Sequence, residues 1–279
     1  ERFIEHYIVP MGAAIWSMSL ADMLTFPLQF FVRFFKNHGL LSVSNRPQWR
    51  VIEGGSSAYV KPLSAGFADR IHLNCPVTQV ERYEQGVLIH TAAGVERFDK
   101  VIFACHSDQA LALLGDTASA EQRAVLAAIR YQPNRAVLHT DPALLPRERK
   151  LWSAWNYFAG VGEPGKQPVG VSYLINTLQP LPFTTPVVVT LNPAREPDPA
   201  KVLAEFDYAH PIFDGPAIAA QQKLADVQGQ GGVWLAGAWG SYGFHEDGLK
   251  SGLRVANALG VQAPWQGEPL EQPSARRTA

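Results

Sequence analysis

Cysteine is scarce in this sequence: its 279 residues contain only Cys75 and Cys105, which do not form a CxxC pair. This scarcity argues against a disulfide framework and against a cysteine-based zinc site. Charge of one sign is also lacking, since 24 Lys and Arg residues oppose 25 Asp and Glu residues. Such a balance lacks the basic footprint of a nucleic-acid-binding protein. We therefore expect neither a nucleic-acid partner nor a metal ion.

An uninterrupted hydrophobic run long enough to cross a bilayer is also lacking. The longest apolar stretch, Met11–Phe35, contains Asp22 and Pro27, whereas a spanning helix needs about 20 predominantly apolar residues. Buried helices joined at Pro27 are one interpretation of this stretch, and a membrane-surface or lipid-entry face is the other. We expect a cytoplasmic protein, with contact to a membrane surface as the open alternative.

Glycine and proline are plentiful, with 23 and 21 residues, and this favours a fold with many turns. The pattern predicts helices up to about residue 45, and a Gly54-Gly55 turn that leads into a helix from Ser57. The run Lys100–Cys105 predicts a strand covered on both faces. Further strands are predicted at 49–52, 71–74, 77–84 and 86–91, and the Glu84-Gln85-Gly86 connection is predicted to be a tight hairpin turn. An antiparallel sheet is predicted from runs between residues 134 and 192.

The C-terminal part combines a strand, a glycine-rich loop and a helix. The strand covers Val233–Ala236, the loop continues to Gly248, and the helix is predicted for about 249–259. A helix N-terminus offers unpaired N–H groups, and glycines before it let a ligand approach the backbone. This arrangement suits a pyrophosphate or the pyrimidine side of a flavin. Loop geometry without any ligand is the alternative.

Three segments of the sequence together resemble the FAD-dependent amine oxidase superfamily. They are LAGAWGSYGFHEDGLKSGLRVANALG, the long run from WRVIEGGSSAYV to DKVIFAC, and NRAVLHTDPALLPRERKLWSAWNY. Within the first, GFHEDG is similar to a bacterial branch of predicted NAD/FAD-binding proteins. The resemblance extends from near residue 1 to about residue 260. It implies an α/β fold, with a Rossmann-like FAD-binding lobe and a substrate lobe that contains an antiparallel sheet.

The resemblance also implies a division of the chain into five parts. Residues 1–45 would be the helical part of the substrate lobe, and residues 111–227 would form its antiparallel sheet. The FAD-binding lobe would receive residues 46–110 and the strand-loop-helix unit of residues 228–262. The polar tail at 263–279 is predicted to be disordered.

The dinucleotide fingerprint of this superfamily is absent. Its members open with a strand, a GxGxxG turn and a helix that hold the FAD pyrophosphate. The single GxGxxG match in these 279 residues, at 160–165, lies in a predicted loop before a predicted strand at 169–174 and opens no predicted helix. We therefore expect the chain to be the C-terminal two-thirds of such an enzyme. The missing N-terminal FAD-binding segment would be truncated here or supplied by a separate chain.

Candidate site residues follow from the resemblance. His139 occupies the approximate position of a lysine that holds a water against flavin N5, although a core histidine with satisfied nitrogens is the alternative. Glu246 and Asp247 suit helix capping as well as catalysis. The pocket candidates on strands have sheet packing as their alternative. The predicted cofactor-binding residues are Gly54, Gly55, Val77, Gly237, Ala238, Gly243, Phe244 and His245, and the predicted substrate-pocket residues are Trp155, Asn156, Tyr173, Asn176, Trp239 and Tyr242.

The function implied is an FAD-dependent oxidoreductase. It would transfer a hydride from a C–N or C–H bond of a small-molecule, hydrophobic substrate to flavin N5. A fatty-acyl or polyene desaturase or isomerase is a first alternative, and oxidation of a polar amine is another. A fragment that binds no flavin and serves only as an interaction domain is the alternative from a different class.

Overall fold

A computed structural model of the chain describes residues 2–42, 44, 48, 50–158 and 169–265. The predicted disordered tail lies outside the described residues from position 266 onward, as does the whole segment 159–168. The described chain divides into two compact units. The first combines the residues up to Cys75 with Ile129–Ala219, and the second combines Pro76–Ala128 with the described residues from Ala220 onward.

Helices occupy both ends of the chain and several connections between strands. A one-turn π-helix, Ile4–Ile8, precedes the first α-helix, and a 3₁₀ segment, Ala65–Arg70, follows the fourth. The α-helices of the described residues are α1 (Val9–Trp16), α2 (Leu20–Thr25), α3 (Leu28–Asn37), α4 (Ser57–Ser64), α5 (Ser107–Leu114), α6 (Ala120–Ala127), α7 (Ile175–Leu178), α8 (Gly215–Lys223) and α9 (His245–Ala258).

The strands form three separate sheets. A three-stranded sheet has the order β1-β2-β3, a two-stranded sheet pairs β10 with β4, and a five-stranded sheet has the order β6-β7-β8-β5-β9. The strands are β1 (Val77–Tyr83), β2 (Gly86–Thr91), β3 (Gly94–Phe98), β4 (Val101–Phe103), β5 (Tyr131–His139), β6 (Trp155–Phe158), β7 (Gly170–Leu174), β8 (Val188–Leu191), β9 (Val202–Pro211) and β10 (Val233–Leu235).

The first three helices of the first unit pack around Trp16. Its ring lies 4.5 Å from that of Phe26 and 4.8 Å from that of Phe34, measured between centroids. A Cβ at Gly12 would come within 2.8 Å of Met23 Sδ, so glycine permits this close approach. α3 begins directly after Pro27. The prediction of buried helices joined at this proline is therefore confirmed for the sides of the helices that face the core.

The antiparallel sheet of the first unit presents two different faces. Residues directly opposite on neighbouring strands share a face, and successive residues alternate between faces. One face carries an apolar row across all five strands, and the other carries a row that begins with three polar residues. The apolar row is Trp155, Tyr173, Val189, Leu138 and Ala204, and the other row is Asn156, Ser172, Thr190, Val137 and Glu205.

The second unit contains a three-stranded meander and a parallel strand pair. The predicted tight turn at Glu84-Gln85 is confirmed, since Tyr83 pairs with Gly86 across it. In the parallel pair, Trp234 lies opposite Ile102. The prediction that the β4 run is covered on both faces is wrong for Ile102, which is 48% exposed. The two-stranded sheet leaves this side of the strand uncovered.

Several predicted elements differ from the structure. No strand forms at 71–74, where Leu73 is exposed, or at the described residues 50–52. The strands β3 and β9 were not predicted. The last helix begins at His245 rather than near 249, because the Asp247 carboxylate accepts the N–H of Phe244 and caps the helix there.

Candidate functional site

The strand-loop-helix unit in the second unit is held together by a buried serine. After β10, the N–H of Ala236 donates to the carbonyl of Phe103 at 2.8 Å and extends the parallel ladder by one bond. The N–H of Gly237 then donates to Ser251 Oγ at 2.8 Å, and this hydroxyl donates to the carbonyl of Gly248 at 2.7 Å. Ser251 on α9 therefore fixes the start of the loop against the helix that follows it.

The middle of the loop is closed around Trp239. This side chain is only 4% exposed, and its Nε1 donates to the carbonyl of Cys105 at 3.1 Å. A Cβ at Gly237 would lie 2.3 Å from Trp239 Nε1, so the indole itself requires glycine at this position. Gln221 supports the loop from outside, because its Nε2 donates to the carbonyls of Trp239 and Ser241 at 2.8 and 2.7 Å. The structure thus places the predicted pocket residue Trp239 in the core of the loop.

The start of α9 is partly exposed to solvent. Gly243 has a φ of +93°, a left-handed conformation that glycine adopts without strain, and it is exposed. Asp247 accepts the N–H of Phe244, whereas the N–H groups of His245 and Glu246 have no acceptor among the described residues. Tyr242 and Phe244 are half-buried beside them. The 14-residue helix therefore presents two backbone donors behind an exposed glycine.

The donor set at this helix start fits the electron-rich edge of a flavin better than it fits a phosphate. Free N–H groups and the positive end of the helix dipole attract an acceptor. The carboxylates of Glu246 and Asp247 lie in the first turn of α9, and their negative charges repel a phosphate. An uncharged ring edge with carbonyl and nitrogen acceptors therefore fits the residues present.

The remaining predicted cofactor residues lie on other elements. Gly54 and Gly55 have φ values of +82° and +83°, and the turn that they form leads into α4 in the first unit. Val77 begins β1 in the second unit and is 37% exposed. Ala238 lies within the loop that follows β10. The cofactor role of all these residues stays a prediction.

His139 lies at the end of β5, inside the sheet of the first unit, and is fully buried. Its Nδ1 accepts the N–H of Asp141 at 3.1 Å, and its Nε2 is 2.8 Å from Thr190 Oγ1. A second hydroxyl, Ser172 Oγ, lies 2.8 Å from the same Thr190 atom. Both ring nitrogens are therefore engaged within the sheet, as in the core-histidine alternative, and the catalytic role of His139 stays a prediction.

Burial determines the protonation of this histidine. It lowers the pKa of His139 below its ordinary value of 6.5, although the nearby charge of Asp141 acts in the opposite direction. Since a backbone N–H occupies Nδ1, the neutral ring carries its hydrogen on Nε2 and donates it to Thr190. The ring is therefore a neutral, fixed donor.

The predicted pocket residues of the first unit separate into two groups. Trp155 and Tyr173 lie together on the apolar row, with ring centroids 5.2 Å apart in an edge-to-face arrangement. Asn156 lies on the opposite face, where its Nδ2 donates to the carbonyls of Ser153 and Ser172. Asn176 binds the backbone of residues 185 and 187. Both asparagine side chains therefore bond to backbone groups, as the sheet-packing alternative predicts. The structure does not bring them together with the two aromatic residues.

Within the ranges that the structure describes, no group of three or more His, Cys, Asp or Glu side chains could hold a metal ion.

Comparison with known proteins identifies a family from the first part of the chain. Residues 2–162 match the family of flavin-containing amine oxidoreductases. The chain belongs to this family, and it is thus a member of a group of flavin-dependent oxidoreductases. No curated protein matches the sequence significantly.

Solved structures show the same fold at low sequence identity. The CLA-producing fatty acid isomerase from P. acnes is 14% identical, with a TM-score of 0.60 over 89% of this chain. Cyclohexylamine oxidase from Brevibacterium oxydans IH-35A is 15% identical, with a TM-score of 0.60 over 90% of this chain. The chain spans 63% of the length of each of these two proteins.

Proposed function

We propose that this chain forms part of an FAD-dependent oxidoreductase that acts on a C–N or C–H bond of a hydrophobic substrate. The observation that carries the cofactor assignment is the start of α9, where the free N–H groups of His245 and Glu246 follow the left-handed Gly243. When bound, FAD supplies the redox chemistry by accepting a hydride at N5. The α9 N–H groups would bind the electron-rich edge of the ring and orient it.

A nucleotide-binding segment outside these 279 residues would complete the FAD site. Two observations support this partner. The single GxGxxG match in the sequence, at 160–165, stands between strands β6 and β7, whereas the fingerprint leads into a helix. The chain also spans 63% of the length of two proteins with the same fold. The α9 start also carries two carboxylates, which oppose a pyrophosphate. Another element must therefore hold the pyrophosphate, and a helix N-terminus after a glycine-rich turn is suited to that task.

The apolar row of the first unit supports a hydrophobic substrate. Its five residues, from Trp155 to Ala204, include no charged side chain. Burial raises the pKa of Tyr173 to about 12, so its hydroxyl stays uncharged even at alkaline pH. A polar amine would find no carboxylate on this row. A fatty-acyl or polyene desaturase or isomerase of the same superfamily is the second candidate, because such a chain also needs an apolar surface.

Flavin binding tests the cofactor assignment. The complete reading frame, purified from cells, should show flavin absorption bands, and Gly243→Ala should weaken FAD binding. Gly260→Ala is the matched control, since Gly260 is also left-handed but has open space where a Cβ would be placed. Equal FAD affinity in the two variants would contradict the α9 assignment. A complete protein that takes up no flavin would leave an interaction domain as the function.

Substrate class is tested separately in the flavin-loaded protein. Long-chain fatty acids, polyenes and polar amines are mixed anaerobically with the enzyme, and loss of the oxidised flavin absorption is followed. Bleaching by an apolar compound, with none by polar amines, is expected. A desaturase bleaches in the same way, whereas an isomerase returns an isomerised product without net reduction. Bleaching by polar amines alone would contradict the hydrophobic-substrate assignment.

A further inference from the structure

The outer side of α2 and α3 exposes large apolar side chains. Leu24 and Leu28 are 72% and 73% exposed, and Val32 is 45% exposed. Leu28 and Val32 are four residues apart on α3 and therefore lie on the same face of that helix. Leu24 lies in the last turn of α2, shortly before Pro27. We name these three residues the outer ridge.

The charges on α3 are of one sign. Arg33 and Lys36 lie on the exposed side of α3, and neither forms an ion pair with a described residue. The one carboxylate on α2 and α3 is Asp22, which accepts the Ser19 hydroxyl at 2.6 Å and is occupied in capping α2. On α3, exposed apolar side chains thus stand beside two cations, and this helix carries no acid.

We propose that the outer ridge docks on the surface of an anionic lipid bilayer. A helix of this kind lies in the plane of the membrane, with apolar side chains at the acyl boundary and cations near the headgroups. Each cation held near an anionic surface strengthens binding by about fivefold. The helices rest on the bilayer without crossing it, since none of those described has the length and apolar character that a span requires.

Vesicle flotation tests this proposal. The protein purified from its complete reading frame is mixed with vesicles of phosphatidylglycerol and phosphatidylcholine, or of phosphatidylcholine alone, at low and high salt. Binding is expected only to the anionic vesicles, and it should weaken as salt rises. Arg33→Gln with Lys36→Gln should reduce the partition coefficient by about 25-fold. Leu28→Gln with Val32→Gln should reduce it by at least tenfold.

Leu203→Gln provides the matched control. Leu203 is 59% exposed on β9, so the same chemical change is made at a similarly exposed leucine of another element. The control should bind the anionic vesicles like the unchanged chain. Equal losses in the control and the ridge variants would overturn the proposal, as would equal binding to both kinds of vesicle. Sedimentation that shows a dimer dispersed by Leu28→Gln would assign the ridge to a second copy and would also overturn it.

Discussion

Replacing Thr190 by valine tests the hydrogen arrangement around His139. The ring donates from Nε2 to Thr190 Oγ1, and the Thr190 and Ser172 hydroxyls share one further hydrogen bond. Two hydroxyl hydrogens are available for that single bond. One of them therefore has no acceptor among the described residues, whichever hydroxyl is the donor. The unchanged protein thus already contains one buried hydrogen without a partner.

The expected changes in the free energy of unfolding follow from the number of buried hydrogens that lack an acceptor. Thr190→Val leaves both His139 Nε2–H and the Ser172 hydroxyl without an acceptor, and should lower the free energy of unfolding by about 2–4 kcal/mol. Ser172→Ala removes one hydrogen bond and leaves the count of unpaired hydrogens unchanged, so it should cost about 0.5–1.5 kcal/mol. In the Thr190→Val background, Ser172→Ala removes an unpaired hydroxyl and should cost nothing or stabilise. The coupling between the two sites is then about 1–2 kcal/mol.

Urea unfolding of the four proteins in this cycle gives the coupling directly. The nitrogen spectrum of His139 provides an independent measurement, because it shows which ring nitrogen carries the hydrogen. Strictly additive effects of the two substitutions would refute the shared network. A hydrogen found on Nδ1 would refute the tautomer from which these magnitudes were derived.

Three further predictions concern other contacts. Burial pushes the pKa of Asp141 upward, but two backbone N–H groups and Lys201 outweigh it and hold that pKa below 3.8. Ionised Asp141 therefore stabilises the folded state fully above pH 3.8, and this stabilisation is lost as the pH falls through the lower folded-state pKa. When the urea midpoint of unfolding is plotted against pH, Asp141→Asn should reduce the fall at acid pH. An unchanged fall would contradict this. Ser251→Ala leaves the Gly237 N–H unpaired and should cost about 1–3 kcal/mol in thermal unfolding, whereas no measurable loss would mean that the loop is held by other contacts. Gly86→Ala should destabilise by about 1–3 kcal/mol in urea, because φ is +151° and a Cβ would overlap a carbonyl oxygen of β3; a neutral result would show that the hairpin shifts freely.

Local signals predicted the hairpin and the C-terminal unit well. The Glu84-Gln85 turn and the strand from Val233 are each specified by a few neighbouring residues, and the structure confirms both. The β9 strand was missed although it pairs with β5 along its whole length. Its apolar positions alternate with Glu205 and Asp207, which is the pattern of a half-exposed strand. Its pairing with β5 and its position at the sheet edge depend on residues far away in the sequence.

Residues of the candidate site also depend on contacts between positions that are far apart in the sequence. The burial of His139 depends on Thr190 and Ser172, which are 51 and 33 positions away, and no local pattern reports such contacts. Gln221 also escaped prediction, since nothing in α8 distinguishes it from a surface glutamine. The resemblance indicated the loop before α9, but only the structure shows that Ser251 fixes it.

The parallel pairing of β4 with β10 has a consequence for how this chain folds. More than a hundred residues separate Val101 from Val233, and the whole five-stranded sheet of the first unit lies within that interval. Bringing the two strands together as an open chain would require closing a very long loop, which is entropically unfavourable and slow. A folded first unit shortens the effective loop, because its own ends are already fixed. We therefore expect the sheet to form first and the strand pair that precedes α9 to form last.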